Sequence, residues 1–414
     1  MNKTMKGLCG AIAGALLTTS ASYADTIKIA FIDPLSGPFA ATGENAYHLF
    51  QYAVDAVVND QGGVLDGDTF ELIGLDNKIS ATETLIHLQT AIDDGVRYIV
   101  QGQSSGVAAA LIDAISKHNR RNPDQQVLFL NYAAIDPALT NEACSFWHFS
   151  FDANSDLKMD ALTDVIAQSP ELTSGYLINQ DYSFGRAVAA SATAMLADKR
   201  PDITIAGDEV HPIGQVKDFT PYARKIVASG ADFVITGAWG ADMYGLGTAL
   251  ISNGFTGPIY TYYAAASGIT AGFGEAGKGS LFIVAEGQTN PPPSEEAAQY
   301  VSDFKTAFPG ENFTLARTSN VVRMLAAAIN EAGTATDVVA VANALEGLEI
   351  ENPFGGTLYM RPDNHQLIQD VHVMAHTDEG IVNALDGSPF GLLVSDTVAA
   401  AGRDAASSCE MDRP

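Results

Sequence analysis

Two eight-residue stretches of this chain repeat one another: Gly95-Val-Arg-Tyr-Ile-Val-Gln-Gly102 and Gly230-Ala-Asp-Phe-Val-Ile-Thr-Gly237. Each sets a short apolar run between two glycines and is followed by a loop and a helical pattern. The surroundings repeat as well. From Asp25 onward, strand-like segments (27–32, 70–75, 98–100, 128–130) alternate with helix-like ones (44–58, 82–92 and a run after Ser105). After about residue 150 the series restarts, with strands at 175–178, 203–205, 233–235 and 259–262 and helices at 185–196, 220–227 and 244–252. Alternation of this kind builds a parallel sheet covered by helices on both faces. Done twice, it predicts an α/β protein of two doubly wound parallel-sheet lobes joined by a hinge, with a cleft between them. The remaining segments, helices at 297–308 and 319–332 and strands at 356–360 and 369–375, are expected to cross back and complete both lobes. The expected division is 25–146 plus 283–352 for the first lobe, and 147–282 plus 353–414 for the second.

Residues 1–24 have the form of a secretory signal: Lys3 and Lys6, an apolar stretch from Leu8 to Leu17, then the small-residue pattern Ser22-Tyr23-Ala24. Cys9 lies near the start of the apolar stretch, not at its end, and does not fit a lipoprotein site. Removing the segment, with its two lysines and no acid, moves the formal charge from −27 to about −29. So acidic a chain offers no basic face to nucleic acid. No later stretch has the apolar length of a membrane span, which also disfavours a sensory receptor ectodomain. Two cysteines remain, Cys144 and Cys409, and an oxidising compartment favours pairing them, tying the C-terminal tail to the middle of the chain.

Several motifs compete to carry chemistry. Gly102-Gln103-Ser104-Ser105-Gly106 matches the G-x-S-x-G nucleophile elbow and has the required strand before it and helix after it. A secreted serine hydrolase using Ser104 is therefore the alternative reading. The same residues also describe a helix start, whose free N–H groups and positive dipole end receive an anion without any reaction. When the two repeats are superposed, Ser104 falls opposite Trp239; a catalytic serine has no reason to recur as tryptophan, whereas a ligand-contacting loop has. His148, His211, His365, His372 and His376 all follow the serine, so order does not discriminate, but an HGGG-like oxyanion segment is missing. Gly272 to Gly279 nearly matches a phosphate-binding loop, but glycine stands where a magnesium-binding hydroxyl belongs. His372 and His376 have helical metal-site spacing in a segment that alternates like a strand. No metal, cofactor or catalytic group is expected. Aromatics follow three second-half strands, Tyr182 and Phe184, Trp239, and Tyr262-Tyr263, as in a pocket lined for an organic ligand.

Taken in order, "IKIAFIDPLSGPFAATGENA", "NDQGGVLDG", "LDNKISATETL", "GVRYIVQGQSSGVAAAL", "AAIDPALT", "INQDYSFGRA", "KDFTPYARKIVASGADFVITGAWGADM" and "GFTGPIYTYY" resemble the type I periplasmic binding proteins for branched-chain amino acids, the solute receptors of ABC importers. The resemblance covers nearly the whole chain after residue 24. It implies a periplasmic monomer that clamps a small solute between its lobes and delivers it to an inner-membrane permease. On the matching positions, Ser105 and the neighbouring N–H groups, with Ser104, Ala133 and Ile135, would hold a carboxylate. Thr42 would approach from the first loop, and Tyr182, Phe184, Trp239 and Tyr263 would close from the second lobe. Two departures bear on the ligand. Ile135 stands where leucine-type receptors carry a threonine that contacts the ligand, and Tyr263 stands about where they carry an acid that pairs with its ammonium. Without that acid a buried ammonium lacks its partner; the resemblance implies amino-acid uptake, while these positions suit a carboxylate without an amine, so the expected solute is an amino acid, a keto acid or an aromatic acid, with an amide also open.

Overall fold

A computed structural model describes residues 24–414; the expected signal segment, apart from Ala24, lies outside the described residues. Five parallel strands form the first sheet: β1 (Thr26–Asp33), β2 (Thr69–Asp76), β3 (Tyr98–Gln101), β4 (Leu128–Asn131) and β5 (His148–Ser150), in the order β2-β1-β3-β4-β5. Helices α1 (Ala40–Val57), α2 (Ala81–Asp93) and α3 (Ser105–Arg121) connect them. Strands β3, β4 and β5 are buried along their whole length, as parallel strands covered on both faces must be.

The chain then enters α4 (Ser155–Ala167) and builds a second sheet from β6 (Ser174–Gln180), β7 (Thr204–His211), β8 (Phe233–Thr236), β9 (Ile259–Thr261) and β10 (Leu281–Ala285), all parallel, with α5 (Ser183–Lys199), α6 (Thr220–Ser229), α7 (Gly240–Ser252) and the short α8 (Ile269–Phe273). The repeated stretches become β3 and β8, and each leads into a helix that starts at the strand's carboxyl end. After β10 come α9 (Glu295–Ala307), α10 (Arg317–Ala332) and α11 (Val338–Leu345), a small antiparallel sheet of β11 (Glu349–Glu351), β12 (Thr357–Met360) and β13 (Leu367–Ile368), and finally β14 (Val371–Thr377) and β15 (Gly391–Val398). These last two run antiparallel on the edge of the second sheet, in the order β15-β14-β10-β9-β8-β6-β7.

The expected lobe boundaries need correction at all three crossings. Strand β5 pairs with β4 and stays in the first sheet, whereas the expected boundary puts residues 147–150 in the second lobe. Strand β10, cut by the expected boundary at 283, pairs with β9 and β14 in the second sheet. Leu358, Met360 and Leu367, assigned to the second lobe, pack into the core of the first with Val321, Leu325 and Val341 of α10 and α11. Composition does not change where a strand hands over to a hinge, so these crossings left no mark in the sequence. The expected bridge between Cys144 and Cys409 is present, with sulfurs 2.02 Å apart, and brings the tail from β15 back to the first lobe.

Candidate ligand site

The cleft is built from strand ends. Asp33, at the carboxyl end of β1, is fully buried and its carboxylate accepts hydrogen bonds from the N–H of Gly102 (3.0 Å) and of Gln103 (3.1 Å), the Tyr132 hydroxyl (2.7 Å) and the Gln101 amide (3.3 Å). Burial pushes this carboxyl up to about 7, against the pull of those four donors. The shelf so fixed needs glycine at 102, where a Cβ would stand 2.7 Å from the Tyr132 ring and 2.8 Å from the Ala133 nitrogen. It also holds Ser104 at φ 78°, a left-handed backbone that costs a non-glycine residue about 1–3 kcal/mol and is kept where the surroundings over-determine it.

Ser104, Tyr182 and Trp239 occupy the cap positions of α3, α5 and α7, and none of the three turns its side chain back to cap its own helix. By contrast, α2, α9 and α11 are capped in the ordinary way by Ser80, Ser294 and Asp337. Three helix starts with uncapped N–H groups therefore meet one cavity, where their dipoles favour a negative charge. The Ser105 hydroxyl accepts from the Asp136 N–H (3.3 Å), which leaves its hydrogen to donate.

All nine residues singled out from the sequence line this cavity. Thr42, Ser104, Ser105, Ala133 and Ile135 come from the first lobe, and Tyr182, Phe184, Trp239 and Tyr263 from the second. The cavity measures about 70 Å³, room for roughly five to seven water-sized groups and so for a solute of amino-acid size. The lobes touch around it. Phe39, just before α1, lies 4.3 Å from the Trp239 ring centre, and Trp239 donates its indole N–H to the Tyr182 hydroxyl (2.9 Å). Phe39 and Ile135 pack into the second lobe's core although their chain segments belong to the first. This is a closed cleft.

One part of the site escaped sequence reasoning. At the crossings behind the cavity, Lys158 of α4 lies 2.6 Å from Asp152 and 3.8 Å from Glu286, and Arg317 at the start of α10 lies 2.5 Å from Glu286 and 3.4 Å from Asp152. All four are buried. The Lys158–Asp152 contact is close, but neither atom has hydrogen-bond alignment, so it counts as an ion pair only. Burial pushes the Asp152 carboxyl up to about 6 against both cations. Burial also opposes ionisation of Glu286, but there Arg317 and Lys158 outweigh it and hold the carboxyl below its ordinary value. Tyr263 and Arg317 both line the cavity, and Tyr263 donates to the Ala133 carbonyl at 2.9 Å, with Asp152 at 3.2 Å as the second acceptor. The sequence did hold one hint, since an arginine in the first turn of a helix opposes the dipole and needs a reason to be there.

The other motifs resolve simply. No histidine lines the cavity among the described residues, so Ser104 has no base beside it, and the hydrolase reading finds no support. Lys278 of the glycine-rich stretch is held by Asp378 (2.6 Å) and Glu379 (2.9 Å). His372 and His376 lie on strand β14, bonded to Thr397 and to the Gly274 carbonyl, and no cluster able to hold a metal occurs among the described residues.

Two sheet-based lobes closed over a small cavity at their strand ends define a bilobal solute-binding protein. Residues 26–380 match the periplasmic binding protein family, and the chain belongs to it, a family of solute receptors. It is 28% identical over 397 residues to the Leu/Ile/Val-binding protein homolog 4 of Brucella melitensis, covering 93% of this chain and 91% of that one. Among solved structures it resembles the leucine-, isoleucine-, valine-, threonine- and alanine-binding protein of Brucella ovis in its closed conformation (TM-score 0.83, 26% identity, 94% of this chain and 100% of that one). A benzoate-bound solute-binding protein of R. palustris shares the fold (TM-score 0.77, 15% identity, 93% and 99% covered).

Proposed function

We propose that this chain is the receptor of an ABC importer that binds a small carboxylate-bearing solute in its cleft and presents it to an inner-membrane permease. It acts as a periplasmic monomer, exported by the signal in residues 1–24, and it captures its solute without chemical change. One lobe comprises residues 25–150 and 287–368, and the other 154–285 and 371–398. The observation that carries the reading is the meeting of three uncapped helix starts at one small cavity lined mainly by apolar groups. That arrangement favours an anionic head on a short apolar body. The nine cavity residues are its ligand contacts, with Ser105 and the N–H groups at the start of α3 receiving the carboxylate and the second-lobe aromatics covering the body. The amino acids named for the Brucella ovis relative carry such a head.

The test is a thermal-shift screen of the protein from Asp25 onward against amino, keto, hydroxy and aromatic acids and their amides, followed by calorimetry, because a ligand raises apparent stability by mass action. Carboxylates should raise the melting temperature while the matching amides do not. Ser105→Ala should weaken the best of them about ten- to a hundred-fold, the worth of a hydrogen bond to a charged group. Equal response to acids and amides would refute the reading.

A further inference from the structure

Resting on the carboxylate reading, we infer that Arg317 is a second anchor for the solute, and that the solute is a short-chain oxo acid whose carbonyl oxygen accepts from the Arg317 guanidinium. Arg317 lines the cavity and is 2% exposed. Its Nη1 faces both available carboxylates, Glu286 and Asp152, while its Nε is buried with no hydrogen-bond partner in the protein. A buried charged donor left unpaired is costly, and a group that satisfies it gains that cost back. A second orphan lines the same cavity. Gln103 is 6% exposed, and neither atom of its amide has a partner.

The acceptors that would receive an ammonium are engaged elsewhere. The Ala133 carbonyl takes the Tyr263 hydroxyl, and Asp152 and Glu286 are matched by Lys158 and Arg317. That ring already has the Lys158 ammonium 5.2 Å and the Arg317 guanidinium 5.8 Å from its centre. With all four groups ionised the cluster is neutral, so an ammonium set against it gains no net attraction. A neutral carbonyl oxygen beside the carboxylate gives Nε its missing acceptor. A plain aliphatic or aromatic acid leaves Nε unpaired.

The experiment is calorimetry with four probes of similar size: 3-methyl-2-oxobutanoate, 3-methylbutanoate, valine and benzoate. The wild-type protein should bind the oxo acid about ten- to a hundred-fold more tightly than 3-methylbutanoate, the worth of one hydrogen bond from a charged donor, and more tightly than valine or benzoate. Arg317→Lys keeps the positive charge for Asp152 and Glu286 but removes Nε, and it should bring the ratio of oxo to plain acid close to one. A merely structural arginine would alter both affinities and leave that ratio unchanged. If the variant does not fold, the wild-type ratio decides alone. Equal binding of the oxo and plain acids, or tighter binding of valine or benzoate, overturns the inference while the carboxylate reading stands. Carboxylates that bind no better than their amides overturn that reading itself.

Discussion

Asp33 is not among the cavity-lining residues, yet it sets the loop that is, through the N–H groups of Gly102 and Gln103. Its carboxyl is raised on burial from an ordinary 3.8 to about 7, so the folded protein keeps a proton that the unfolded chain releases. Ionisation of this group therefore opposes folding, and its contribution to stability declines as pH rises from near 4 to about 7. The melting temperature of the wild type should exceed that of Asp33→Asn by more at pH 5 than at pH 8; a gap that widens toward alkaline pH would contradict this. At this scale the sequence was legible where a rule of position applied. Ser104, Ser105, Tyr182 and Trp239 follow strands, and ligands bind at strand ends. It was illegible where a residue's meaning depends on distant partners. Asp33 reads as the end of an apolar strand, and nothing local says that Gly102, Gln103 and Tyr132 will converge on it. Lys158 has two partners, Asp152 and Glu286, and the second lies far along the chain.

Helix starts and the loops before them do the work of the cleft, and their fit across it is tight. Gly240 opens α7 at φ 59°, and a Cβ there would stand 2.6 Å from the Phe39 ring. Gly240→Ala should thus cost about 1–2 kcal/mol from the left-handed backbone alone and also force Phe39 off Trp239. Calorimetry should show weaker solute binding in the variant, with a smaller further loss when Phe39→Ala is added, because the first change has already broken that contact. Additive losses would mean that Phe39 acts elsewhere. Most strands and helices were readable from periodicity, and the matching glycine-bounded runs became equivalent strand-to-helix turns. Helix α4 was not, because its buried face carries Ser155, Lys158 and Thr163 among the apolar residues. Strand β5 has only three residues, His148–Ser150, too few to display a period.

Across the whole molecule the chain passes between lobes three times, near Asp152, Glu286 and Gln369, and the tail returns a fourth time to be fixed by the bridge at Cys144. Gln366 and Gln369 donate to the carbonyls of Asp152 and Phe151, so two of the crossings are bonded to each other. Cys144→Ser, Cys409→Ser and the double variant should each lose about 2–4 kcal/mol in urea unfolding, and the losses should not add because one bond is removed in every case. An unchanged midpoint would place the tail outside the cooperative unit. The bilobal plan was legible because it is written twice in the chain.

The contact between Phe39 and Trp239 has a further consequence, in time. On the proposed reading, a solute held in the closed cleft leaves only after the lobes part, so the rate of opening sets an upper limit on every dissociation rate. Solutes bound tightly and solutes bound loosely share that ceiling, and a partner that pulls the lobes apart controls when the cargo departs without touching it.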